Sequence, residues 1–169
     1  EPPLILIVDD EASFQEIISL KLKSVGFEIA LASNEAQAIS QAAKLMPDLI
    51  LMDIHLQGPT GTDAALAIKQ NPKTKDLKIA FLTNLKEPWP GISGDQKNIA
   101  KTLGMEDFLD KTEDLDVLVE KIKGILSIYN RGTINEDGKK YADEVYQGYL
   151  RWQEHFISEN KKYITGKTN

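Results

Sequence analysis

Aspartates follow two apolar segments of this sequence, and their spacing indicates metal chemistry. Asp9 and Asp10 come directly after Leu4–Val8, and Asp53 comes directly after Leu49–Met52. If these segments are neighbouring strands, the three carboxylates meet at one sheet edge, where they repel one another and raise each other's pKa. A hard divalent cation with oxygen ligands, most simply Mg2+, removes that conflict. The aspartates therefore predict a magnesium site.

A hydroxyl and an ammonium group in the sequence supply what else is needed for the transfer of a phosphoryl group onto a carboxylate. Thr83 ends another apolar segment, and Lys111 follows the last one before a long helical pattern. Such a transfer needs an ionised acceptor, positive charge on the phosphoryl oxygens and a hydroxyl that hydrogen-bonds one of them. Asp53, Mg2+ with Lys111, and Thr83 fit these roles. Taken singly, each residue is better explained as a helix cap, a turn residue or a solvated charge, so only the combination favours chemistry.

Short apolar segments alternate with longer segments of helical periodicity, which predicts a repeated strand–helix unit. The predicted strands are Leu4–Val8, Glu28–Ala32, Asp48–Met52, Lys78–Leu82 and Asp107–Leu109. The predicted helices extend from Ser13 to Val25, Asn34 to Met46, Gly61 to Gln70, Gly94 to Leu103 and Asp114 to Tyr129.

The first predicted helix has a capping-box spacing, with Glu16 three residues after Ser13. Apolar residues at helical spacing predict the buried faces of the first and last helices. These are Phe14, Ile17, Ile18, Leu22 and Val25 in the first, and Leu115, Leu118, Val119, Ile122, Ile125 and Leu126 in the last.

The predicted strands are apolar almost throughout, which is typical of strands buried on both faces of a parallel sheet covered by helices. Right-handed crossovers leave few topologies. We predict an α/β fold of the flavodoxin-like (βα)5 type, a three-layer sandwich with parallel strand order 2-1-3-4-5. In such folds function collects at the carboxyl ends of the strands, which is where the polar residues fall.

Four segments of the sequence resemble the bacterial two-component response-regulator receiver domains. The matching strings are LILIVDDE, PDLILMDIHLQGPTG, IAFLT and GMEDFLDK. Each string is weak alone, but their joint pattern is specific, and the resemblance covers roughly residues 4–129. It implies a phosphoprotein that takes a phosphoryl group from a sensor histidine kinase or a phosphotransfer protein in a Mg2+-dependent reaction.

The resemblance also implies the roles of residues around the phosphate. Asp53 is the phosphoacceptor, Asp10 a direct Mg2+ ligand and Asp9 a ligand through water. The backbone carbonyl of His55 is a further ligand, and Gly61 matches the glycine that lies eight residues past the acceptor.

Three residues carry the switch by the same resemblance. Thr83 is the switch hydroxyl and Lys111 contacts the phosphate. Phe108, three residues before that lysine, is the aromatic that moves inward when Thr83 turns to the phosphate.

The chain departs from the family pattern in four places. Thr112 replaces the usual proline after the lysine, Gln57 stands where a proline is common, and Asn84 replaces a small residue. The segment 85–94 is longer than the usual connection to the fourth helix, and it is either a partner-specific loop or a tolerated insertion.

Two other functions stay open. An unphosphorylated interaction module would keep the fold without the chemistry, and Asn84 and Thr112 make it conceivable. An aspartyl-nucleophile phosphohydrolase is disfavoured, because Glu11 occupies the position two residues after Asp9 where such enzymes have a second aspartate. We expect no enzyme activity beyond self-phosphorylation and self-dephosphorylation.

The composition of the chain restricts its expected partners and its expected cellular compartment. The 169 residues carry a net charge of -6, which disfavours direct binding of nucleic acid. The sequence has no cysteine, which fits a reducing compartment, and its apolar segments are too short to cross a membrane. We therefore expect a cytoplasmic protein without a membrane partner.

A separate C-terminal extension, residues 131–169, follows a receiver domain of residues 1–130. It predicts a helix over residues 137–163 with an aromatic face, formed by Tyr141, Val145, Tyr149, Trp152 and Phe156. Such a face needs a partner surface. It can pack on the receiver, pair with a second chain in a homodimer or lie against a further domain of a longer protein, and we favour the first two. The chain begins with Glu1 rather than methionine, which favours a fragment of a longer protein.

Overall fold

The structure is a computed structural model that describes residues 1–58, 60–86, 88–92 and 94–127, together with residues 148 and 151. The described chain alternates strands and helices. In chain order these are β1 (Leu4–Val8), α1 (Ala12–Ser24), β2 (Glu28–Ala32), α2 (Glu35–Leu45), β3 (Leu49–Met52), α3 (Gly61–Gln70), β4 (Ile79–Thr83), α4 (Gln96–Thr102), β5 (Asp107–Asp110) and α5 (Leu115–Ser127). Apart from residues 148 and 151, the predicted helix over residues 137–163 lies outside the described residues, and so does the predicted boundary at residue 130.

The five strands form one parallel sheet in the order β2-β1-β3-β4-β5, which confirms the predicted topology. The strand pairing aligns the last residues of neighbouring strands: Val8 pairs with Met52, and Thr83 pairs with Asp110. Because all strands point the same way, the residues that follow them meet at one edge of the sheet.

Helices cover both faces of the sheet, as the three-layer prediction requires. Alternate residues of β1 point to opposite faces. Leu6 and Val8 belong to a core with α2, α3 and α4, whereas Ile5 and Ile7 belong to a second core with α1 and α5. Burial of each such side chain stabilises the fold by roughly 1.5–3 kcal/mol.

Strand β2 departs from the prediction that the strands are buried on both faces. Glu28 and Leu31 are exposed, Leu31 by 48%. The reason is topological, because β2 lies at the edge of the sheet and, among the residues that the structure describes, pairs only with β1.

The predicted start and buried face of α1 were partly wrong. The helix begins at Ala12 without a side-chain cap, and Glu11 rather than Ser13 is its N-cap residue. Ile17 is 53% exposed, while the polar Gln15 is buried. Gln15 tolerates burial because its Nε2 donates to the carbonyl of Ala32 at 2.8 Å.

The buried face of α5 was predicted correctly, since Leu118, Val119, Ile122 and Leu126 are all buried. Asn34 caps α2, because its side chain accepts a hydrogen bond from the backbone N–H of Gln37 at 2.8 Å. Within the described residues, no helix has the length and apolar character needed to cross a membrane.

Candidate functional site

Backbone hydrogen bonds continue past the strand ends and fix the residues that follow. Each of three site residues uses its own N–H to extend the ladder by one step, so its side chain emerges at the carboxyl edge of the sheet. The bonds are Asp9 N to Ala32 O (3.0 Å), Asp53 N to Val8 O (2.9 Å) and Lys111 N to Thr83 O (3.0 Å).

The structure brings three predicted metal ligands together. Asp9, Asp10 and Asp53 each offer one carboxylate oxygen, and these oxygens lie within 4.8 Å of one another. Asp9 and Asp53 are only 2% and 4% exposed, whereas Asp10 is exposed. Oxygens bound to an octahedral Mg2+ at about 2.1 Å lie about 3–4.2 Å apart, which small side-chain movements can reach. The donor set therefore fits Mg2+.

Lys111 joins these carboxylates and completes what we call the acidic cluster, Asp9, Asp10, Asp53 and Lys111. Its Nζ lies 2.8 Å from Asp9 Oδ2 and 3.3 Å from Asp53 Oδ2. The side chain of Lys111 is 6% exposed. Burial by itself would lower the pKa of Lys111, but the hydrogen bond to Asp9 and the charge of Asp53 outweigh burial and raise that pKa. Lys111 is therefore a buried, charged group beside Asp53.

Asp9 lies in an unfavourable environment for a carboxylate. Burial raises the pKa of Asp9 above its ordinary value of 3.8, and the charge of Asp53 acts in the same direction. Hydrogen bonds from Lys111 and from the N–H of Glu11 oppose this rise without cancelling it. A cation bound beside Asp9 would relieve the strain on its ionised form.

The loop after β3 points backbone N–H groups at two of the carboxylates. The N–H of His55 donates to Asp53 Oδ1 at 3.2 Å, and the N–H of Gln57 donates to Asp10 Oδ2 at 3.1 Å. Gln57 has a φ of 54°, which proline cannot adopt. The backbone conformation at Gln57 thus explains why this position is not proline. The side chain of His55 is exposed.

Gly61, at the first position of α3, packs directly against the backbone of Asp53 and Ile54. A Cβ atom there would lie 1.9 Å from the carbonyl oxygen of Asp53 and 2.6 Å from the Cα of Ile54. The Gly61 N–H also donates to the carbonyl of Ile54 at 2.9 Å. Any side chain at Gly61 would push α3 away from the loop after β3.

The two predicted switch residues lie on the neighbouring strands. Thr83 is 1% exposed, and its Oγ1 accepts a hydrogen bond from the N–H of Leu85 at 3.3 Å. Phe108 is half-buried on β5 and packs against the core on the α4 side of the sheet. Their roles in switching remain predictions.

Sequence reasoning missed Trp89, which lies in the segment 85–94. Its ring packs edge-on against Phe81 and Phe108, with centroids 5.4 and 5.7 Å apart, and its Nε1 donates to Thr62 Oγ1 at 3.0 Å. We call Phe81, Trp89 and Phe108 the aromatic cluster. A signal was present, because a tryptophan between two prolines in a loop seldom stays in water when an apolar surface is near.

Glu11 and Phe14 were also missed as neighbours of Lys111. Glu11 Oε2 lies 3.3 Å from Lys111 Nζ, and the Nζ lies 4.3 Å from the centroid of the Phe14 ring. Phe14 had been predicted as a core residue only. No local signal connects it to a lysine at position 111, since the contact depends on how α1 packs on the sheet.

Comparison with known proteins first defines the fold class. A response regulator from Chloroflexus aurantiacus shares 32% identity with a TM-score of 0.63, and the match covers 75% of this chain and 99% of that one. The chemotaxis response regulator CheY4 of Vibrio cholerae shares 25% identity with a TM-score of 0.65, covering 75% of this chain and 100% of that one. The chain therefore has the CheY-like, flavodoxin-like fold.

Sequence comparison then gives the family. Residues 5–123 match the family model of the response regulator receiver domain, so the chain belongs to that family, whose members act in two-component signalling. PhoB of Pseudomonas aeruginosa, a phosphate regulon transcriptional regulatory protein, is 35% identical over 72% of this chain and 51% of its own length. RpaA of Synechocystis, a DNA-binding transcriptional regulator, is 26% identical over 88% of this chain and 58% of its own length. The chain spans about half the length of these curated relatives.

Proposed function

We propose that this receiver accepts a phosphoryl group on Asp53 from a sensor histidine kinase or a phosphotransfer protein, with Mg2+ held by Asp9, Asp10 and Asp53. One observation carries the proposal: a buried carboxylate, Asp53, lies within 3.3 Å of a buried ammonium group, Lys111, at an acidic edge that fits a divalent cation. The backbone carbonyl of His55 is proposed as a further ligand.

Each site residue has its own role in the proposed phosphoryl transfer. An oxygen of Asp53 forms a bond to phosphorus while the bond from phosphorus to the donor's imidazole nitrogen breaks, and the imidazole leaves with the electron pair. Lys111 is close enough to Asp53 to neutralise a phosphoryl oxygen attached there. Mg2+, when bound, supplies further positive charge to the phosphoryl oxygens. Thr83 offers a hydroxyl at the neighbouring strand end.

The proposed output is a change of surface. When the Thr83 hydroxyl turns to the phosphate, the Leu85 N–H loses its partner and Phe108 moves toward the space that is vacated. Both changes remodel the face made by α4, β5 and α5, where a partner protein or a second copy of the chain would bind. The partner is therefore proposed to distinguish the two states through this face.

The test is phosphoryl uptake from acetyl phosphate with Mg2+, followed by intact mass or by gel mobility. Asp53→Asn is expected to abolish uptake, since the amide is not a nucleophile. Asp76→Asn is the matched control, because Asp76 is exposed and lies before β4, at the opposite end of the strands. Omission of Mg2+ is expected to reduce uptake as strongly as Asp53→Asn does.

Two results would contradict the proposal. Uptake by Asp53→Asn equal to the wild type would move the acceptor elsewhere. No uptake by the wild type from any donor would favour the alternative of an unphosphorylated interaction module. The family is one of receivers rather than of dedicated hydrolases, so no separate observation favours the phosphohydrolase alternative.

The relatives qualify the prediction that nucleic acid is not a partner. RpaA is named as a DNA-binding regulator and PhoB as a transcriptional regulator, so regulation of transcription is a reasonable role for this chain. We propose that this chain acts through protein contacts, because its net charge of -6 disfavours contact with DNA. Salt-dependent binding of a DNA duplex by this chain would overturn that view.

A further inference from the structure

The ammonium group of Lys111 contacts an aromatic ring as well as carboxylates. The Nζ lies over the face of the Phe14 ring, 4.3 Å from its centroid. Phe14 belongs to α1 and is itself held, since it packs against the core formed by α1, α5 and one face of the sheet. A fixed ring therefore lies under the charged end of Lys111.

A ring face differs from a carboxylate as a support for an ammonium group. The attraction of a cation to the ring is electrostatic and uses none of its N–H donors in a directed bond. The three N–H donors of Lys111 face Asp9, Asp53 and the exposed carboxylate of Glu11, and an oxygen that arrives on Asp53 would take the place of Glu11. The ring stabilises the charge at this place without competing for those bonds.

The backbone beside Lys111 is fixed by a turn. The carboxylate oxygen Oδ1 of Asp110 accepts from the Thr112 N–H at 2.8 Å and from the Thr112 hydroxyl at 2.6 Å. The N–H of Lys111 meanwhile donates to the carbonyl of Thr83 at 3.0 Å. The backbone of Lys111 is thus bonded to β4, and its two neighbours in the chain, Asp110 and Thr112, are bonded to each other.

We propose that Phe14 and Thr112 are positioning residues for Lys111: the ring sets the place of its ammonium group, and the turn through Thr112 sets the direction in which its side chain leaves β5. The inference rests on the proposed function, in which Lys111 neutralises the phosphoryl group on Asp53. It assigns a role to Thr112, where the chain departs from the family's proline.

The first experiment compares Phe14→Leu with Phe14→Tyr in the rate of Mg2+-dependent phosphoryl uptake from acetyl phosphate. Loss of the cation–ring contact is expected to slow uptake roughly threefold to tenfold in Phe14→Leu. Phe14→Tyr keeps a ring face and is expected to restore the rate. Phe27→Leu is the matched control, because Phe27 is another half-buried phenylalanine of the same core.

The second experiment replaces the hydroxyl at position 112. Thr112→Val removes one of the two bonds to Asp110 and is expected to slow uptake by roughly threefold, whereas Thr112→Ser is expected to keep the rate. Thr102→Val is the control, because the Thr102 hydroxyl makes a comparable bond, to the Asn98 carbonyl at 2.8 Å, within α4. A rate for Thr112→Val equal to the wild type would remove Thr112 from the proposal.

A third measurement does not depend on phosphorylation. The ring current of Phe14 is expected to shift the Lys111 Cε protons upfield in NMR spectra of the wild type, and Phe14→Leu is expected to abolish that shift. If the wild type shows the shift but takes up no phosphoryl group, the proposed function fails while the contact stands. If the wild type is phosphorylated and either lacks the shift or loses no rate in Phe14→Leu, the role of Phe14 is overturned.

Discussion

The acidic cluster is held by strand ends, whereas the aromatic cluster depends on a loop residue. Asp9, Asp53 and Lys111 each follow a strand and are fixed by the hydrogen-bond ladder of the sheet. Trp89 lies six residues after Thr83, and what fixes it is its ring contacts together with the bond to Thr62. The sheet therefore makes the acidic cluster rigid, while the aromatic cluster can rearrange if those few contacts change.

Gly61 offers the largest expected effect, and it tests the rigidity of the acidic cluster. Gly61→Ala places a Cβ 1.9 Å from the Asp53 carbonyl oxygen, so α3 or the loop after β3 has to move. We expect the free energy of unfolding to fall by at least about 3 kcal/mol, measured by urea denaturation.

The control for this prediction is Gly124→Ala in α5, where a Cβ would meet no atom within 4 Å. Alanine favours the helix over glycine there by roughly 0.5–1 kcal/mol, so the control is expected to gain stability. A loss of stability in Gly61→Ala no larger than about 1 kcal/mol would show that the loop after β3 adapts more freely than the structure indicates.

Trp89 tests the aromatic cluster with an intermediate effect. Trp89→Ala removes both ring contacts and the hydrogen bond to Thr62, and we expect a loss of roughly 2–3 kcal/mol in urea denaturation. Trp89→Phe keeps a ring and is expected to lose about 1 kcal/mol, chiefly the hydrogen bond. Thr62→Val should match Trp89→Phe. If Trp89→Ala is as stable as the wild type, the aromatic cluster adds nothing to the fold.

Asp9 offers the smallest effect, a pH dependence of stability whose sign is opposite to that of most aspartates. Its pKa is raised in the folded state above the ordinary 3.8, so in the window between these values the folded protein binds more protons than the unfolded chain. The free energy of unfolding contributed by Asp9 therefore increases as pH falls through that window.

Urea denaturation without divalent cations, between neutral pH and about pH 4, measures this contribution as the difference between the wild type and Asp9→Asn. The wild type is expected to gain stability relative to Asp9→Asn as the pH falls. Asp76→Asn serves as the control with an exposed carboxyl. A relative loss by the wild type would mean that Lys111 stabilises the ionised form of Asp9 more than burial opposes it.

The acidic cluster could be predicted because the residues that follow parallel strands meet at one edge of the sheet, and the sequence shows which residues these are. Apolar strands followed by Asp9, Asp53 and Lys111 imply adjacency once the strand order is known, and the sheet has the predicted order. Gly61 was likewise predicted, but its reason, the 1.9 Å approach of a Cβ to Asp53, needed coordinates.

The wrong predictions of burial concern residues whose exposure depends on their position in the fold rather than on the apolar pattern of their own segment. Ile17 and Leu31 are exposed although their segments have apolar patterns. Leu31 lies on β2, the edge strand of the sheet, and Ile17 lies on α1 outside both buried cores. Gln15 is buried because a strand carbonyl, that of Ala32, lies within reach.

The sequence by itself determined the strands and the acidic residues that follow them, since strand periodicity and strand ends are local properties, and right-handed crossovers then left few possible strand orders. Tertiary structure alone decided that Phe14 lies under Lys111 and that Trp89 reaches Thr62. Those contacts join segments 97 and 27 residues apart, and their distances depend on how helices and loops pack, which no spacing along the chain encodes.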